Sequence, residues 1–437
     1  MIKIDGKEIE VKRENAYISE CDEAYCKLVS EILKNGEQTH NRTGIDTLSI
    51  AGWNYKFDLQ KGFPIAETKD VKIKNATSEI QWIHQVQRND VKWLQDRENH
   101  TWDLWVIDDD GIYRTYKQGE NVVEDLDRKV KVVDIYGKPL LDKYGNEIYT
   151  TSKVEGKTID TAKYFGLQYA GTIGEAYGFI NSVYKRPQYV ENALKNNPED
   201  RRMNISLWQD AHLSRAVLPS CVWSSEYKVT PDGKLHSYVH QRSADVPLGL
   251  PFNISQYAIL LSMFAKANNY EVGTMSWSIM DAHIYLNQLN GIKKQLQRYE
   301  YMKEYSNIIR TSTDEEIERL YNRLSNLYDK LYIRAKIIID DNIEEMKISK
   351  ILKELALKDS SLSKLLEETY ERKISFFHML TRETPELKLE NHDSIFEYST
   401  SYVGKKDKYL EENPIGNKEI VLKKYHPTPF ISMPIAQ

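Results

Sequence analysis

The chain has 437 residues, 41% of them hydrophobic and 29% charged, which is ample apolar material for a core and more than one small domain needs. A formal net charge of −5 excludes a surface built for non-specific nucleic-acid binding, though a local basic pocket for a small anion stays open. Three scattered cysteines, Cys21, Cys26 and Cys221, exclude a disulfide framework, and no Cys/His cluster suggests a metal site; with a polar first stretch and no apolar run of spanning length, the expectation is a cytoplasmic protein that engages no membrane.

Along the chain, the spacing of Ala24, Tyr25, Leu28, Val29, Ile32 and Leu33 predicts an amphipathic helix over 19–35, capped by Ser19 and stopped at Gly36. Alternation of Leu48, Ile50, Trp53, Tyr55, Phe57 and Leu59 predicts a strand over 47–59, with Gly52 as a bulge. A helix is expected at 76–95, carrying Glu79 and Trp82. Residues 108–165 are polar and turn-rich, and Asp134-Ile-Tyr-Gly-Lys138 is echoed by Asp142-Lys-Tyr-Gly-Asn146, the pattern of a β-ribbon with glycine turns.

A second strand pair, 224–229 and 235–241, brackets Thr230-Pro-Asp-Gly233, and Asn253 is expected to cap the helix that follows. Residues 295–379 hold no glycine or proline and read as helical. There Thr313 and Glu316 suit a capping box, and Ile317, Leu320, Leu324, Leu327 and Leu331 suit a hairpin or short coiled coil, packed on its own domain or binding a partner protein. Grouped strands and helices make the class α+β, a mixed sheet packed with helices.

Cys221, in Leu218-Pro-Ser-Cys-Val-Trp223, is by itself a weak sign of a nucleophile. His240-Gln-Arg-Ser-Ala-Asp-Val-Pro-Leu-Gly-Leu-Pro-Phe-Asn253 strengthens it, being dense in polar groups between a strand and an apolar helix. Arg242 and Ser243 suit a phosphate, and Asn253 offers the donor and acceptor that match the edge of a uracil.

That stretch strongly resembles the signature of the thymidylate synthase family. Other family motifs follow in order: His40-Asn-Arg42-Thr-Gly, Glu79 in Ser-Glu-Ile-Gln-Trp, Trp102 and Trp105, Tyr177 in Ala-Tyr-Gly, Arg201-Arg202, His283 and Tyr285, and the tail from Tyr425 to Gln437. The resemblance covers about 18–107, 166–294 and 380–437, leaving 108–165 and 295–379 as insertions like those of phage-encoded members. It implies a homodimer that adds a one-carbon unit from 5,10-methylenetetrahydrofolate to C5 of dUMP, with no metal.

Carried over residue by residue, Cys221 is the nucleophile, Glu79 and Tyr177 manage protons, Asn253 selects uracil and Asp245 holds the pterin. Arg42, Gln241, Arg242 and Ser243, with Arg201 and Arg202 of the other subunit, bind the nucleotide, and His283 and Tyr285 its 3′-hydroxyl. Lys69, Trp102, Trp105, Leu248, Gly249, Phe252 and Ala436 line the folate site. Two departures bear on the product: Val222 stands where the family has His, and Gln437 where an apolar residue is usual. Reductive methylation to dTMP is the first expectation and hydroxymethylation the alternative, because either change alters water access. Asn253 opposes the dCMP-specific branch. A DNA cytosine methyltransferase lacks support, having no glycine-rich cofactor motif here, and a non-catalytic scaffold would not need Cys221, Glu79 and Asn253 together.

Overall fold

The computed structural model describes residues 1–41, 43–116, 129–151, 153–154, 157–339, 346–401 and 417–435. It opens with a hairpin, β1 (Ile2–Ile4) and β2 (Lys7–Ile9), turned by Asp5 and Gly6, both at positive φ. In α1 (Glu20–Asn35), Ser19 accepts from the Asp22 amide at 3.0 Å, and three acidic residues in the first turn face the positive end of the helix dipole. Next come β3 (Glu37–Thr39) and β4 (Thr47–Asp58). Gly52 is at φ +72, but the β4 register is uninterrupted across it, so the expected bulge is absent.

The helix expected at 76–95 is two helices. α2 (Ile73–Ile80) runs into a π-turn at Gln81–Gln85 and ends near Gln87, at φ +56; α3 (Lys92–Gln95) is separate. The polar stretch folds as β5 (Ile112–Tyr116), β6 (Val130–Val133), β7 (Tyr149–Thr150), β8 (Lys153–Val154) and β9 (Lys157–Tyr164) around Val132, Ile159 and Ala162. Its near-repeat is structural. Asp134 accepts from the amides of Tyr136 and Lys138, Asp142 from those of Tyr144 and Asn146, and Gly137 and Gly145 supply the positive φ.

Then follow α4 (Gly178–Tyr184), α5 (Arg186–Asn196), β10 (Asn204–Ser206), β11 (Val222–Val229), β12 (Lys234–Asp245), α6 (Gly249–Ala267) and β13 (Glu271–Tyr285). The main sheet has the order β10-β11-β12-β13-β4-β3. Its one parallel pair, β12 and β13, is joined by α6, as a crossover between parallel strands requires. Leu235, Val239 and Gln241 of β12 face inward, where Trp82, Trp277, Phe57 and Phe264 fill the core. Asn253 lies inside α6 and caps nothing; the helix begins four residues earlier, after Leu248.

Four long helices follow: α7 (Leu289–Thr311), α8 (Asp314–Ile339), α9 (Ile348–Lys358) and α10 (Ser360–Thr381). Thr313 and Glu316 form the capping box, with reciprocal bonds of 3.3 and 2.9 Å. The expected leucine stripe of α8 is only partly buried. Ile317 and Leu331 are inside, while Leu320 and Leu327 are exposed, because Tyr321 and Tyr328 make the contacts to Phe376 and Tyr370 of α10. The helices thus form a packed group rather than a two-stranded coil. A last ribbon, β14 (Glu386–Leu389) and β15 (Ile420–Lys423), precedes the tail. Among the described residues no helix is long and apolar enough to cross a membrane.

Candidate active site

Cys221 sits immediately before β11, where the register with β12 shifts between Val222 and Ser224. Two backbone carbonyls beside it, those of Pro219 and Ser220, accept from the Arg242 guanidinium at 2.7 and 3.1 Å, and the Arg242 amide donates to the Cys221 carbonyl. This brace leaves Arg242 Nη2 3.7 Å from Cys221 Sγ, the placement of a cation that stabilises a thiolate.

The hydroxyl of Tyr177 accepts from the Cys221 amide at 3.1 Å. Tyr177 has φ +49, a costly conformation for an aromatic residue, and burial pushes its phenol well above the usual range. The next residue must be glycine: a Cβ on Gly178 would fall 1.9 Å from the Arg88 carbonyl oxygen.

Glu79, on α2, accepts from Trp102 Nε1 at 3.0 Å. Burial raises its carboxyl to about 7, against the opposing pull of Trp102 and the nearby Gln256 amide. Trp102 packs edge-on against Tyr177 and Trp105, at 5.1 and 5.8 Å between ring centres. Glu79 therefore lies in an aromatic wall that reaches Cys221 through Trp102 and Tyr177.

A chain of amides fixes Asn253. Trp277 Nε1 donates to Gln241 Oε1, Gln241 Nε2 to Asn253 Oδ1, and Asn253 Nδ2 to Gln256 Oε1, all within 3.1 Å. Parallel pairing of β12 with β13 sets Ser243 beside Asp281 and Asp245 beside His283. Ser243 donates to Asp281 at 3.2 Å, and His283 Nδ1 lies 3.3 Å from the same carboxylate with its ring against Tyr285. Burial raises the Asp281 carboxyl, but His283 and Ser243 outweigh it and hold the group below its usual range.

Asp245 accepts from the Leu248 amide at 3.1 Å and from Gln288 at 3.2 Å, and burial raises its carboxyl. Gln288 also donates to the Pro434 carbonyl at 3.0 Å, which ties the tail to Asp245. Lys69 donates to the Pro247 carbonyl, and burial lowers its ammonium to about 8. Leu248 and Phe252 are half-buried against the core. Gly249 is not sterically demanded, since a Cβ there would make only ordinary contacts.

Arg201 and Arg202 are expected at the other subunit's phosphate rather than at this one. Arg201 and Arg202 are exposed on the turn before β10, and Arg202 pairs with Asp200 at 2.8 Å; among the described residues neither bonds to the Cys221 group. Arg42 and Ala436 lie outside the described residues, as does Gln437. Gln256, Asp281 and Gln288 were missed by sequence reasoning. Gln256 is three residues beyond Asn253 on the same helical face and could have been found that way.

The family model described as thymidylate synthase matches residues 23–327. This chain belongs to the thymidylate synthase family. The thymidylate synthase of Clostridium beijerinckii is 34% identical over 277 residues, which is 63% of this chain and 82% of that protein. Those of Mycoplasma mobile and Listeria monocytogenes serotype 4a are each 33% identical, over 63% of this chain and 85% and 86% of their own lengths. The chain is thus an enzyme of a family whose members typically use methylenetetrahydrofolate.

Proposed function

We propose that the protein methylates C5 of dUMP reductively to dTMP, with methylenetetrahydrofolate supplying both the one-carbon unit and the hydride. The single observation that carries this is the braced pair of Cys221 and Arg242, 3.7 Å apart. Cys221 Sγ attacks C6 of the pyrimidine, and C5 becomes nucleophilic. Arg242 supports the thiolate, and with Arg42 it holds the phosphate that fixes C6 against sulfur. Asn253, immobilised between Gln241 and Gln256, faces the uracil edge and stabilises charge on O4.

Glu79, at about 7, carries protons to and from the ring, and Tyr177 assists removal of the C5 proton. His283 and Tyr285 bind the sugar. The donor set fits a reduced folate: Asp245 is a half-buried acceptor for the pterin, Lys69, Leu248, Gly249 and Phe252 form its surroundings, and Trp102 and Trp105 give apolar walls. The same indoles and the tail exclude water, which favours hydride over hydroxymethylation. One observation favours hydroxymethyl-dUMP as a second reading: Val222 is buried and apolar where the family carries an imidazole.

The active form is read as a homodimer. One sheet face exposes Trp223 (37%), Tyr238 (39%) and Met280 (65%), apolar surface that a second copy would cover, and Arg201 and Arg202 stand exposed, able to reach a partner's phosphate. Residues 108–165 and 295–379 are read as insertions into the catalytic domain, and the cytoplasm as its compartment.

The test is to incubate the protein with fluorodeoxyuridylate and methylenetetrahydrofolate and look for a covalent ternary adduct at Cys221. Its absence with the thiol intact overturns the reading. With dUMP, a methyl product and dihydrofolate are expected; a hydroxymethyl product with tetrahydrofolate selects the second reading.

A further inference from the structure

The tail is held at several points, and its deepest bonds come from the helical stretch. Arg298 of α7 is almost fully buried; it pairs with the equally buried Glu371 of α10 and donates to the Pro429 carbonyl at 2.5 Å. Lys294, 2.9 Å from Glu371, adds a second cation. Two turns along α10, His378 donates from Nδ1 to the His426 carbonyl at 2.9 Å and sets Nε2 3.3 Å from Glu67. Arg382 holds the other oxygen of Glu67 at 2.8 Å, and the Glu67 carbonyl accepts from Thr428. From these anchors the tail runs past Ile431 and Met433, both buried, to Pro434 and its bond to Gln288, which also holds Asp245.

Among the described residues Glu371 makes no hydrogen bond or ion pair to the tail; it fixes the guanidinium that does. A buried carboxylate–guanidinium fork allows one orientation, so the position of Pro429 is set from α10. We infer that Glu371 and His378 are positioning residues for the folate half of the reaction, holding segment 426–434 against Asp245. This rests on the proposed function, in which Asp245 and the tail enclose the folate.

The test uses full-length protein carrying Glu371→Gln. Hydrogen exchange of the peptide over 426–435, read by mass spectrometry without ligands, is expected to quicken about tenfold, as for a local opening that has lost one charge-assisted bond. The KM for methylenetetrahydrofolate is expected to rise by about the same factor while dUMP affinity holds. Glu371→Asp should recover part of both effects. If Glu371→Gln does not fold with Arg298 uncompensated, His378→Phe replaces it, because it strands no cation.

Unchanged tail exchange in a folded variant overturns the inference. Faster exchange with an unchanged folate KM, in a protein whose parent forms the ternary adduct, leaves only a structural clamp and also overturns it. A parent that forms no adduct condemns the proposed function instead, and the exchange measurement still judges the clamp.

Discussion

The two ends of the site are built from different materials. Around Cys221 several contacts join pairs of side chains whose identity matters: Arg242 to sulfur, Trp102 to Glu79, Gln241 to Asn253. Around the tail, side chains catch backbone carbonyls, those of Pro247, His426, Pro429 and Pro434. A side-chain contact fails when either residue changes; a carbonyl contact fails only when the donor changes. The first end should therefore be intolerant of substitution at those pairs, and the second sensitive at the donors Lys69, Gln288, Arg298 and His378 and at Glu371, which fixes Arg298.

The largest effects are expected at the Cys221 end. Cys221→Ser should lower turnover about 10³-fold or more in steady-state assays while calorimetry still shows dUMP binding. Substantial residual turnover would remove Cys221 from the chemistry. Next, Glu79→Gln should lower kcat about 10²-fold or more.

Stability gives a second reading of Glu79, with a definite sign. Its carboxyl rises to about 7 on folding, so the folded state keeps a proton that the unfolded state sheds between about 4.5 and 7. Stability from this group is thus full below about 4.5, is lost through that window and stays lost above it, by about 3 kcal/mol. Urea unfolding at pH 8 should find Glu79→Gln more stable than the parent, with the difference gone at pH 4. An equal difference at both pH values would place the cause elsewhere.

At the tail end, Gln288→Ala should raise the folate KM about tenfold and leave dUMP affinity alone, since it removes bonds to Asp245 and Pro434. Pro434→Ala, which changes only the acceptor's residue type, should do much less in the same assay. The smallest effect is expected far from both ends. Tyr144→Ala, on an exposed ribbon turn, should shift stability by less than about 0.5 kcal/mol in the same urea titration and leave turnover unchanged.

That contrast also explains which features the amino-acid sequence alone discloses. Alternation along 47–58, the cap at Ser19 and the turns at Gly137 and Gly145 are legible because each is local. So is the clustering of site residues at the ends of β12 and β13, since one motif lies on each strand. The broken helix after Gln85 is not legible, because a π-turn leaves no composition signal. Nor is the buried face of α8, where tyrosines take positions that leucine spacing assigns to the core. Gln288 and Glu371 stay hidden for another reason: their roles run through carbonyls, or through a partner far away in sequence. Arg298 and Glu371 are 73 residues apart.

The hairpin of β1 and β2 rests on the same helices that hold the tail. Ile2 and Ile4 pack with Tyr305, Ile317 and Phe376, and Asp5 accepts from Tyr321 and Ser325. These contacts bridge more than 300 residues of chain, with the whole main sheet between them. During synthesis, residues 2–9 must therefore wait for α8 and α10 before finding their seat, and the site cannot be enclosed until both have emerged. Assembly that depends on such distant pairings is slow and leaves apolar surface exposed in the interval. The yield of folded enzyme should then depend on how quickly the helical stretch is made.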